Sequence, residues 1–276
     1  MDRIRLIASD MDATLLDEQS QLPADFEETI HALAELGIRF APASGRPLYT
    51  LEAMFPTLQD ELVFIGDNGG AIRWKGQNLF TSEMSPEGWR ALNRLTREQG
   101  DIAVLCGLES AYVERPFAVH DAVLRHFYTK IEYVDRLEDV TAPADKFTIY
   151  LPQHNAQQAY DTVYASQRSI YSVAVAGECW VDIMNPGVHK GAALQTLGQL
   201  WGLPPESMMA FGDTYNDAEM LQTVRYGFLM ENGSEPLRQK VPFLAPSHRE
   251  AGVMQVLHRV LAQNGCVCPE DFIPAH

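Results

Sequence analysis

The sequence contains few cysteines for its length. Four occur among 276 residues, and the only close pair, Cys266 and Cys268, has C-x-C spacing rather than the C-x-x-C spacing of many metal sites. A framework of disulfides is therefore not expected. We interpret the thiols as structural or incidental groups in a reducing compartment.

Basic residues are scarce relative to acidic ones. The chain has 21 Lys and Arg against 37 Asp and Glu, a formal net charge of −16. Proteins that bind nucleic acid need a basic face to displace counterions from the phosphate backbone, so this class of partner is excluded. The same charge repels small anions at long range. A phosphate site in this chain must therefore depend on local cations, a metal ion and backbone amides.

Long apolar runs and nucleotide-binding motifs are also lacking. No window approaches the roughly 18 consecutive apolar residues of a membrane span, and Met1–Arg3 leads into a short strand without a signal-peptide core. Neither G-x-G-x-x-G nor G-x-x-x-x-G-K-[ST] occurs, which removes the motifs of the dinucleotide and P-loop classes. We expect a cytoplasmic protein without a membrane partner, either a monomer or a weak homo-oligomer.

Both ends of the chain have the alternating rhythm of βα units. Apolar runs predict strands, and amphipathic stretches that end near glycine, such as residues 22–36 before Gly37, predict helices. The predicted strands are Ile4–Ser9, Ile38–Ala43, Leu62–Ile65, Met208–Phe211 and Gly227–Met230, and the later helices are Lys190–Trp201 and Ala218–Thr223. The alternation predicts an α/β fold with a doubly wound, mostly parallel sheet, a Rossmann-like core.

The middle of the chain reads as a separate α/β layer. Helix Pro86–Gln99 is predicted with Ser85 as N-cap and Gly100 after its end. Further helices are expected near 118–128 and 155–167, and strands at Ile102–Cys106, Ala111–Val113, Phe147–Leu151, Ser172–Ala176 and Trp180–Met184. We therefore predict a core formed by residues 1–80 and 187–276, with an inserted α/β cap domain at 81–186.

Polar residues follow three of the predicted core strands. They are Asp10–Thr14, Ser44–Arg46 and Gly212–Asp217. In open α/β sheets ligands bind outside the carboxyl ends of the strands. Lys190 is the first residue of a predicted helix. A cation at a helix N-terminus is unfavourable unless an anion lies nearby. Each group alone could be a turn or a helix cap, but together they predict a site at one edge of the sheet.

These groups also resemble the motifs of a known family. Asp10-x-Asp12-x-Thr14, Ser44, Lys190 and Gly212-Asp213-x-x-Asn216-Asp217, in this order, are similar to the four motifs of the haloacid dehalogenase-like hydrolase superfamily. The long insertion resembles the Cof-type subgroup, which has a large α/β cap. Asn68-Gly69 and Arg249–Val253 lie where that subgroup has similar motifs, so the resemblance covers the whole chain.

The resemblance implies a Mg²⁺-dependent phosphatase that hydrolyses a small phosphomonoester, a sugar phosphate, through an aspartyl-phosphate. Asp10 would be the nucleophile, and Asp12 would protonate the leaving alkoxide and then deprotonate water. Lys190 would complete the catalytic set by binding a phosphoryl oxygen and offsetting the carboxylates. The implied metal ligands are the Asp10 carboxylate, the Asp12 carbonyl oxygen and Asp213, with Asp217 adjacent.

Further residues are expected on the substrate side of the site. Ser44 and the amides around Gly45 would bind a phosphoryl oxygen, and Thr14 would steady the loop that carries the aspartates. Arg46, Asn68 and Asn216 flank the site and are further substrate-binding candidates. In the cap, Glu109, Glu114 and Arg115 are weaker candidates for specificity.

Ala13 departs from the family pattern, which most often has glycine at that position. We predict a negative φ at Ala13 and an active enzyme, because a positive φ would cost alanine about 1 kcal/mol or more. Two alternatives stay open. One is a phosphomutase that uses the same intermediate, and the other is a non-catalytic, regulatory protein that binds a phosphorylated ligand.

Overall fold

The computed structural model describes all residues, 1–276, and its central feature is a six-stranded sheet. Five strands are parallel, and a short antiparallel strand lies at one edge. In spatial order they are Ile273–Pro274, Phe243–Ala245, Tyr226–Met230, Met208–Gly212, Leu6–Ser9 and Arg39–Pro42. The predicted class, a doubly wound and mostly parallel sheet, is confirmed.

Alternate residues of the central strands enter different hydrophobic cores. Ile7 and Phe211 lie in a cluster of 32 buried residues, whereas Leu6 and Ala210 lie in a second cluster of 19. A strand turns successive side chains to opposite faces. Both faces of this sheet are therefore covered, as the nearly continuous apolar strands require.

Helices cover the two faces of the core sheet. Phe26–Glu35 and Gly252–Ala262 contact each other in the first cluster, and Lys190–Trp201 and Ala218–Thr223 contact each other in the second. Two short helices, Leu48–Ala53 and Glu235–Arg238, complete the core. The first helix begins at Phe26 rather than Leu22, because Pro23 precedes it and its carbonyl accepts from the Phe26 amide.

A three-stranded antiparallel sheet extends the core. Its strands are Val63–Gly66, Ala71–Trp74 and Gln77–Thr81. It joins the main sheet through a parallel bridge between Ala43 and Ile65. A two-stranded pair, Asp2–Arg3 with Cys266–Val267, brings the two ends of the chain together.

The cap has its own six-stranded sheet. Only the last pair of strands in it is parallel. The order is Ser172–Val175, Trp180–Met184, Ala144–Tyr150, Ile102–Gly107, Ala111–Glu114 and Ile131–Val134. No strand of this sheet lies outside 102–184 and no core strand lies between 82 and 185, so the boundaries near 81 and 186 remain a prediction compatible with the two sheets.

Three α-helices belong to the cap. Pro86–Gln99 has the predicted cap, since the Ser85 side chain accepts from the Gly88 amide. The other two, Asp121–Phe127 and Ala156–Thr162, are shorter than predicted and adjoin 3₁₀ turns. Ala156–Thr162 ends early beside Tyr164, which is fully buried and donates its hydroxyl to Asp101 at 2.6 Å.

Candidate active site

Asp10 and Asp213 lie at the point where the strand order of the core reverses. They follow the neighbouring parallel strands Leu6–Ser9 and Met208–Gly212, and the chain proceeds in opposite directions across the sheet from these two. The Asp10 amide donates to the Phe211 carbonyl at 2.9 Å, which fixes the loop to the neighbouring strand. Such a switch point forms a crevice at the carboxyl ends of the strands.

Lys190 joins the carboxylates of this crevice. Its ammonium group is fully buried and donates to Asp10 Oδ1 and, at 2.7 Å, to Asp217 Oδ1. Oxygen atoms of Asp10, Asp213 and Asp217 all lie within 4.8 Å of one another. The predicted residues therefore meet, and the unfavourable position of a lysine at a helix N-terminus is offset by its two carboxylate partners.

The crevice holds more negative than positive charge. Burial, together with the charge of Asp217, raises the pKa of Asp10 to about 8. The same two causes raise the pKa of Asp213 to about 6. Burial acts to lower the pKa of Lys190, but Asp10 and Asp217 outweigh it and raise that pKa above its ordinary value. Three carboxylates share one ammonium group, an arrangement that favours binding of a further cation.

Asp217 supports the loop around Asp213. Its Oδ2 accepts from the backbone amides of Asp213 at 3.0 Å and Thr214 at 3.2 Å, while its Oδ1 accepts from Lys190. Gly212 is required here because a Cβ at that position would lie 2.4 Å from the Asp217 Cβ. The oxygens of Asp217 are thus already occupied by donors from the protein.

The loop after the first core strand is a tight turn in which the Leu16 amide donates to the Met11 carbonyl at 2.9 Å. Ala13 has φ +58° and ψ +14°, so the prediction of a negative φ was wrong. The left-handed residue reverses the chain between Asp12 and Thr14, and Asn232 Nδ2 holds the turn by donating to the Ala13 carbonyl at 2.9 Å. Thr14 is buried below the turn, beside Asp213.

Asp12 lies on the open side of the same loop. Its side chain is 59% exposed and accepts a hydrogen bond from Arg46 Nη2 at 2.8 Å. The Arg46 side chain is only 14% exposed. The ion pair therefore connects the first motif with the loop after the second core strand.

Ser44 begins that second loop. Its amide donates to the Ile65 carbonyl, its carbonyl accepts from the Asn68 amide, and both bonds measure 2.9 Å. Its Oγ accepts from the Arg46 amide at 3.1 Å, which leaves the hydroxyl proton available to another acceptor. Asn68 adopts φ +55°, a conformation that asparagine tolerates better than most residues.

A cavity of about 430 Å³ opens between these loops and the cap. On the core side it is lined by Asp12, Ser44, Gly45, Arg46, Asn68 and Asn216. Asn216 is exposed and accepts from the Thr214 hydroxyl at 2.6 Å. A wider cleft of about 970 Å³ lies along the helices Lys190–Trp201 and Ala218–Thr223, but its lining contains none of the predicted site residues.

The cap side of the cavity contains residues that sequence reasoning missed. Lys146 is buried, donates to the Gly45 carbonyl at 2.6 Å and lies 2.9 Å from Asp67 Oδ1. Asp182 accepts from Thr148 Oγ1 at 2.7 Å and from Asn68 Nδ2 at 3.3 Å. The sequence did contain an indication of these residues, because Asp182 lies within a mostly apolar predicted strand and Lys146 lies directly before another.

The weaker cap candidates lie elsewhere. Glu109 pairs with Arg73, Glu114 with Arg97, and Arg115 with Asp135, and none of the three lines the cavity. The structure gives no support to a role of these residues in specificity, because the ion-pair partner of each also lies outside the cavity.

Comparison with known proteins identifies the family. The family model of the haloacid dehalogenase-like hydrolases matches residues 7–257. The chain belongs to this family. One relative of this chain is the 5-amino-6-(5-phospho-D-ribitylamino)uracil phosphatase YbjI of Escherichia coli. The two sequences are 31% identical over 94% of this chain and 96% of that protein.

Two further comparisons agree with that family. The HMP-PP phosphatase of Cronobacter sakazakii is 31% identical over 87% of this chain and 89% of its own. A crystal structure from Streptococcus mutans superimposes with a TM-score of 0.83 at 28% identity, covering 94% of this chain and 99% of that one. The expectation of a haloacid dehalogenase-like phosphatase of small phosphorylated molecules is confirmed at the level of family and reaction class.

Proposed function

We propose that the chain hydrolyses a small phosphomonoester with Asp10 as nucleophile. The observation that carries this proposal is the crevice in which Asp10, Asp213 and Asp217 surround one buried ammonium group at the switch point of the sheet. Asp10 lies at the carboxyl end of its strand, and the cavity lined by Asp12 of the same loop has room for a complete small ligand.

The donor set fits a divalent cation. Carboxylate oxygens within 4.8 Å of one another, with unbalanced negative charge, are suited to Mg²⁺, which binds through hard oxygen ligands and keeps several waters. We assign the Asp10 carboxylate, the Asp12 carbonyl and Asp213 as ligands, with Asp217 holding Lys190 and the Asp213 loop behind them. When bound, Mg²⁺ neutralises charge between Asp10 and the phosphoryl oxygens.

The residues divide the reaction into two displacements. An Asp10 oxygen forms a bond to phosphorus while the ester P–O bond breaks, and protonated Asp12 gives its proton to the leaving alkoxide. Asp12 then takes a proton from water, which attacks the phosphorus of the aspartyl-phosphate and releases inorganic phosphate. In the free protein Arg46 Nη2 donates to Asp12 Oδ1 at 2.8 Å, so this hydrogen bond must open for Asp12 to reach the leaving-group oxygen.

The phosphoryl oxygens would be bound by groups of both core loops. Ser44 Oγ has its proton free to donate because the oxygen already accepts from the Arg46 amide. Lys190 is held by Asp10 and Asp217 at the base of the crevice, and Thr14 and Asn216 lie on either side. These donors are fixed by the fold before the substrate arrives, which favours stabilisation of the developing charge.

The test is release of inorganic phosphate across a panel of phosphorylated metabolites, with and without Mg²⁺. We expect Mg²⁺-dependent release that Asp10→Asn abolishes, because an amide does not form the acyl-phosphate bond. Asp60→Asn, which changes an exposed aspartate of the core, serves as the matched control and should retain activity. Asp10→Asn activity within tenfold of the wild type would refute the nucleophile, and isomerised sugar phosphate without free phosphate would indicate a phosphomutase.

The role of Asp12 has a separate test. Asp12→Asn should slow alkyl phosphates more than 4-nitrophenyl phosphate, because an activated leaving group needs less protonation. Equal losses for the two kinds of substrate would contradict a role in proton transfer.

We further propose that this enzyme works in the cytoplasm as a monomer or weak homo-oligomer on a small phosphorylated metabolite. Its four cysteines are unpaired, in keeping with a reducing compartment. None of its helices combines the length and the apolar character needed to cross a membrane.

A further inference from the structure

The cavity beside the crevice has two unlike parts on its cap side. Two adjacent antiparallel cap strands, Ala144–Tyr150 and Trp180–Met184, contribute to both parts. Across these strands Lys146 is paired with Met184, Thr148 with Asp182, and Tyr150 with Trp180. Alternate residues share a face, so these pairs form three successive rows on the side of the cap that faces the core.

The rows lead away from the loop that contains Ser44 and Gly45. Lys146 marks the near end, because its ammonium group donates to the Gly45 carbonyl at 2.6 Å. Thr148 and Asp182 follow, and Tyr150 and Trp180 lie two residues further, about 7 Å along the strand. The order from the loop outward is therefore cationic, polar and aromatic.

The middle part has hydrogen-bond acceptors with free capacity. Asn68 is 8% exposed, its Nδ2 donates to Asp182, and its Oδ1 has no hydrogen-bond partner. The same amide packs against Gly45, where an added Cβ would lie 3.2 Å from Oδ1. A buried acceptor without a partner is costly, so this position suits a ligand hydroxyl or amine a short distance from the phosphate.

The far part is apolar. Phe127 is half-buried at the end of its helix, and its ring centroid lies 5.0 Å from that of Trp180. Trp180 in turn packs on Tyr150 at 4.6 Å. The wall is completed by Ala174 and Val175 at the end of strand Ser172–Val175 and by Ala176 directly after it. A sugar phosphate without a further group would leave this wall facing water.

We propose that the far part binds a planar ring carried by the leaving group, with Phe127 as the ring-contacting, specificity-determining residue. Asn68 Oδ1 and Asp182 accept hydrogen bonds from the hydroxylated segment that links this ring to the phosphate. The substrate class is thus a phosphomonoester of a hydroxylated chain or sugar that bears a flat ring. The inference rests on the proposed function for the position of the phosphate.

Uridine 5′-monophosphate and ribose 5-phosphate form a matched pair of probes, because both have the phosphorylated ribose and only the first carries a planar base. The dissociation constants are measured by calorimetry in the presence of Mg²⁺ on Asp10→Asn, which does not consume the probes, and kcat/KM is measured on the active enzyme. Stacking of a base on an aromatic side chain typically changes affinity by about tenfold or more. We therefore expect the ring-bearing probe to be favoured at least about tenfold in both measurements.

Phe127→Ala and Phe127→Leu should reduce that preference to about threefold or less. Phe117→Ala is the matched control, since Phe117 packs against the same hydrophobic cluster but does not line the cavity. This control should keep the preference of the parent. Thermal denaturation of each variant confirms folding, and Phe127→Leu retains most of the side-chain volume if the alanine variant is unstable.

The proposal would be overturned if both Phe127 variants kept the full preference of the parent for the probe with the planar base. It would also be overturned if the parent showed no such preference. The experiments also distinguish a failure of the proposed phosphatase activity from a failure of the proposed ring subsite. If no phosphomonoester is hydrolysed but the ring preference in binding depends on Phe127, the ring subsite stands and the reaction does not. If both probes are hydrolysed at equal kcat/KM, the reaction stands and the ring subsite is wrong.

Discussion

Ala13 has a strained backbone conformation in the loop between Asp10 and Thr14. Its φ of +58° is a conformation that costs a residue with a Cβ roughly 1–2 kcal/mol, and glycine adopts it freely. Glycine also increases the conformational entropy of the unfolded chain, and this effect offsets about 0.4–1 kcal/mol of the stability gained by relieving the strain. We therefore expect Ala13→Gly to raise the free energy of unfolding by about 0.5 kcal/mol, measured by urea denaturation.

The same variant tests whether the methyl group harms the active site. The hydrogen bond from Asn232 to the Ala13 carbonyl already holds the loop, so phosphatase activity should change by less than tenfold. A larger gain would show that alanine displaces Asp10 or Asp12, since small misplacements are expensive in catalysis. The non-catalytic alternative would then be strengthened.

Asp145 is a buried acid beside Asp67 at the junction of core and cap. It is fully buried, neither of its oxygens has a donor of good geometry, and burial together with the charge of Asp67 raises its pKa well above the ordinary value. The native state therefore retains a proton that the unfolded chain releases above about pH 4. By linkage, this group makes the free energy of unfolding fall as pH rises above that point.

Asp145→Asn removes the titrating group and therefore its pH-dependent effect on the free energy of unfolding. The amide group of asparagine still places a hydrogen-bond donor beside Asp67. We expect the variant to gain stability relative to the wild type as pH rises from 4.5 to 7.5, measured by urea denaturation at both values. Asp161→Asn, which changes an exposed cap carboxylate, is the control and should not alter the slope. A relative loss of stability at pH 7.5 would mean that Asp145 is charged in the native protein and pairs with Lys146.

At the level of elements, one cap strand is fastened to the catalytic core by a lysine. Lys146 of Ala144–Tyr150 reaches the Gly45 carbonyl and the carboxylates of Asp67 and Asp182. Burial acts to lower its pKa, but Asp182 and Asp67 outweigh that effect and raise it well above the ordinary value. The ammonium group is therefore charged and balances acids from both domains.

Lys146→Met keeps the aliphatic stem and removes that charge. Breaking a buried pair typically costs about 3–5 kcal/mol, so we expect a clear drop in the melting temperature. KM for phosphomonoesters should rise as well, because the loop of Ser44 and Gly45 loses its donor from the cap. Lys130→Met removes an exposed cap lysine and should change neither quantity. Unchanged KM in a folded Lys146→Met protein would confine the lysine to a structural role.

Elements with strong local indications were predictable from the sequence. Helix Pro86–Gln99 has a serine cap, a first-turn proline and a terminal glycine, and it was predicted to the residue. The four motifs were predictable because each follows a core strand or opens a helix at one sheet edge. The contact of Lys146 with Gly45 was not, since it joins residues 101 positions apart through the docking of two domains. The φ of Ala13 depends likewise on the closed turn rather than on local preference.

At the scale of the whole molecule, the core and the cap bury separate hydrophobic clusters except at Leu108, a cap residue that packs in the larger core cluster, and polar groups also join the two domains. The cap clusters of 16 and 9 residues contain no core residue. The polar contacts across the junction include the ion pair of Arg73 with Glu109 and the hydrogen bond of Thr50 with Thr129. Relative motion of two such domains is the usual expectation for polar interfaces, and it suits a site that must admit substrate and then exclude water.

The net charge of −16 acts on the whole molecule and opposes the approach of an anionic substrate. Its field extends about 30 Å at 0.01 M salt but only about 8 Å at 0.15 M. Lys190 and Lys146 are buried close to the site, so salt should screen the distant acids more than these neighbours. We therefore expect kcat/KM to rise roughly two- to fivefold between these ionic strengths at constant Mg²⁺, with kcat unchanged. A fall in kcat/KM with added KCl would show instead that local cations dominate the field that the substrate meets.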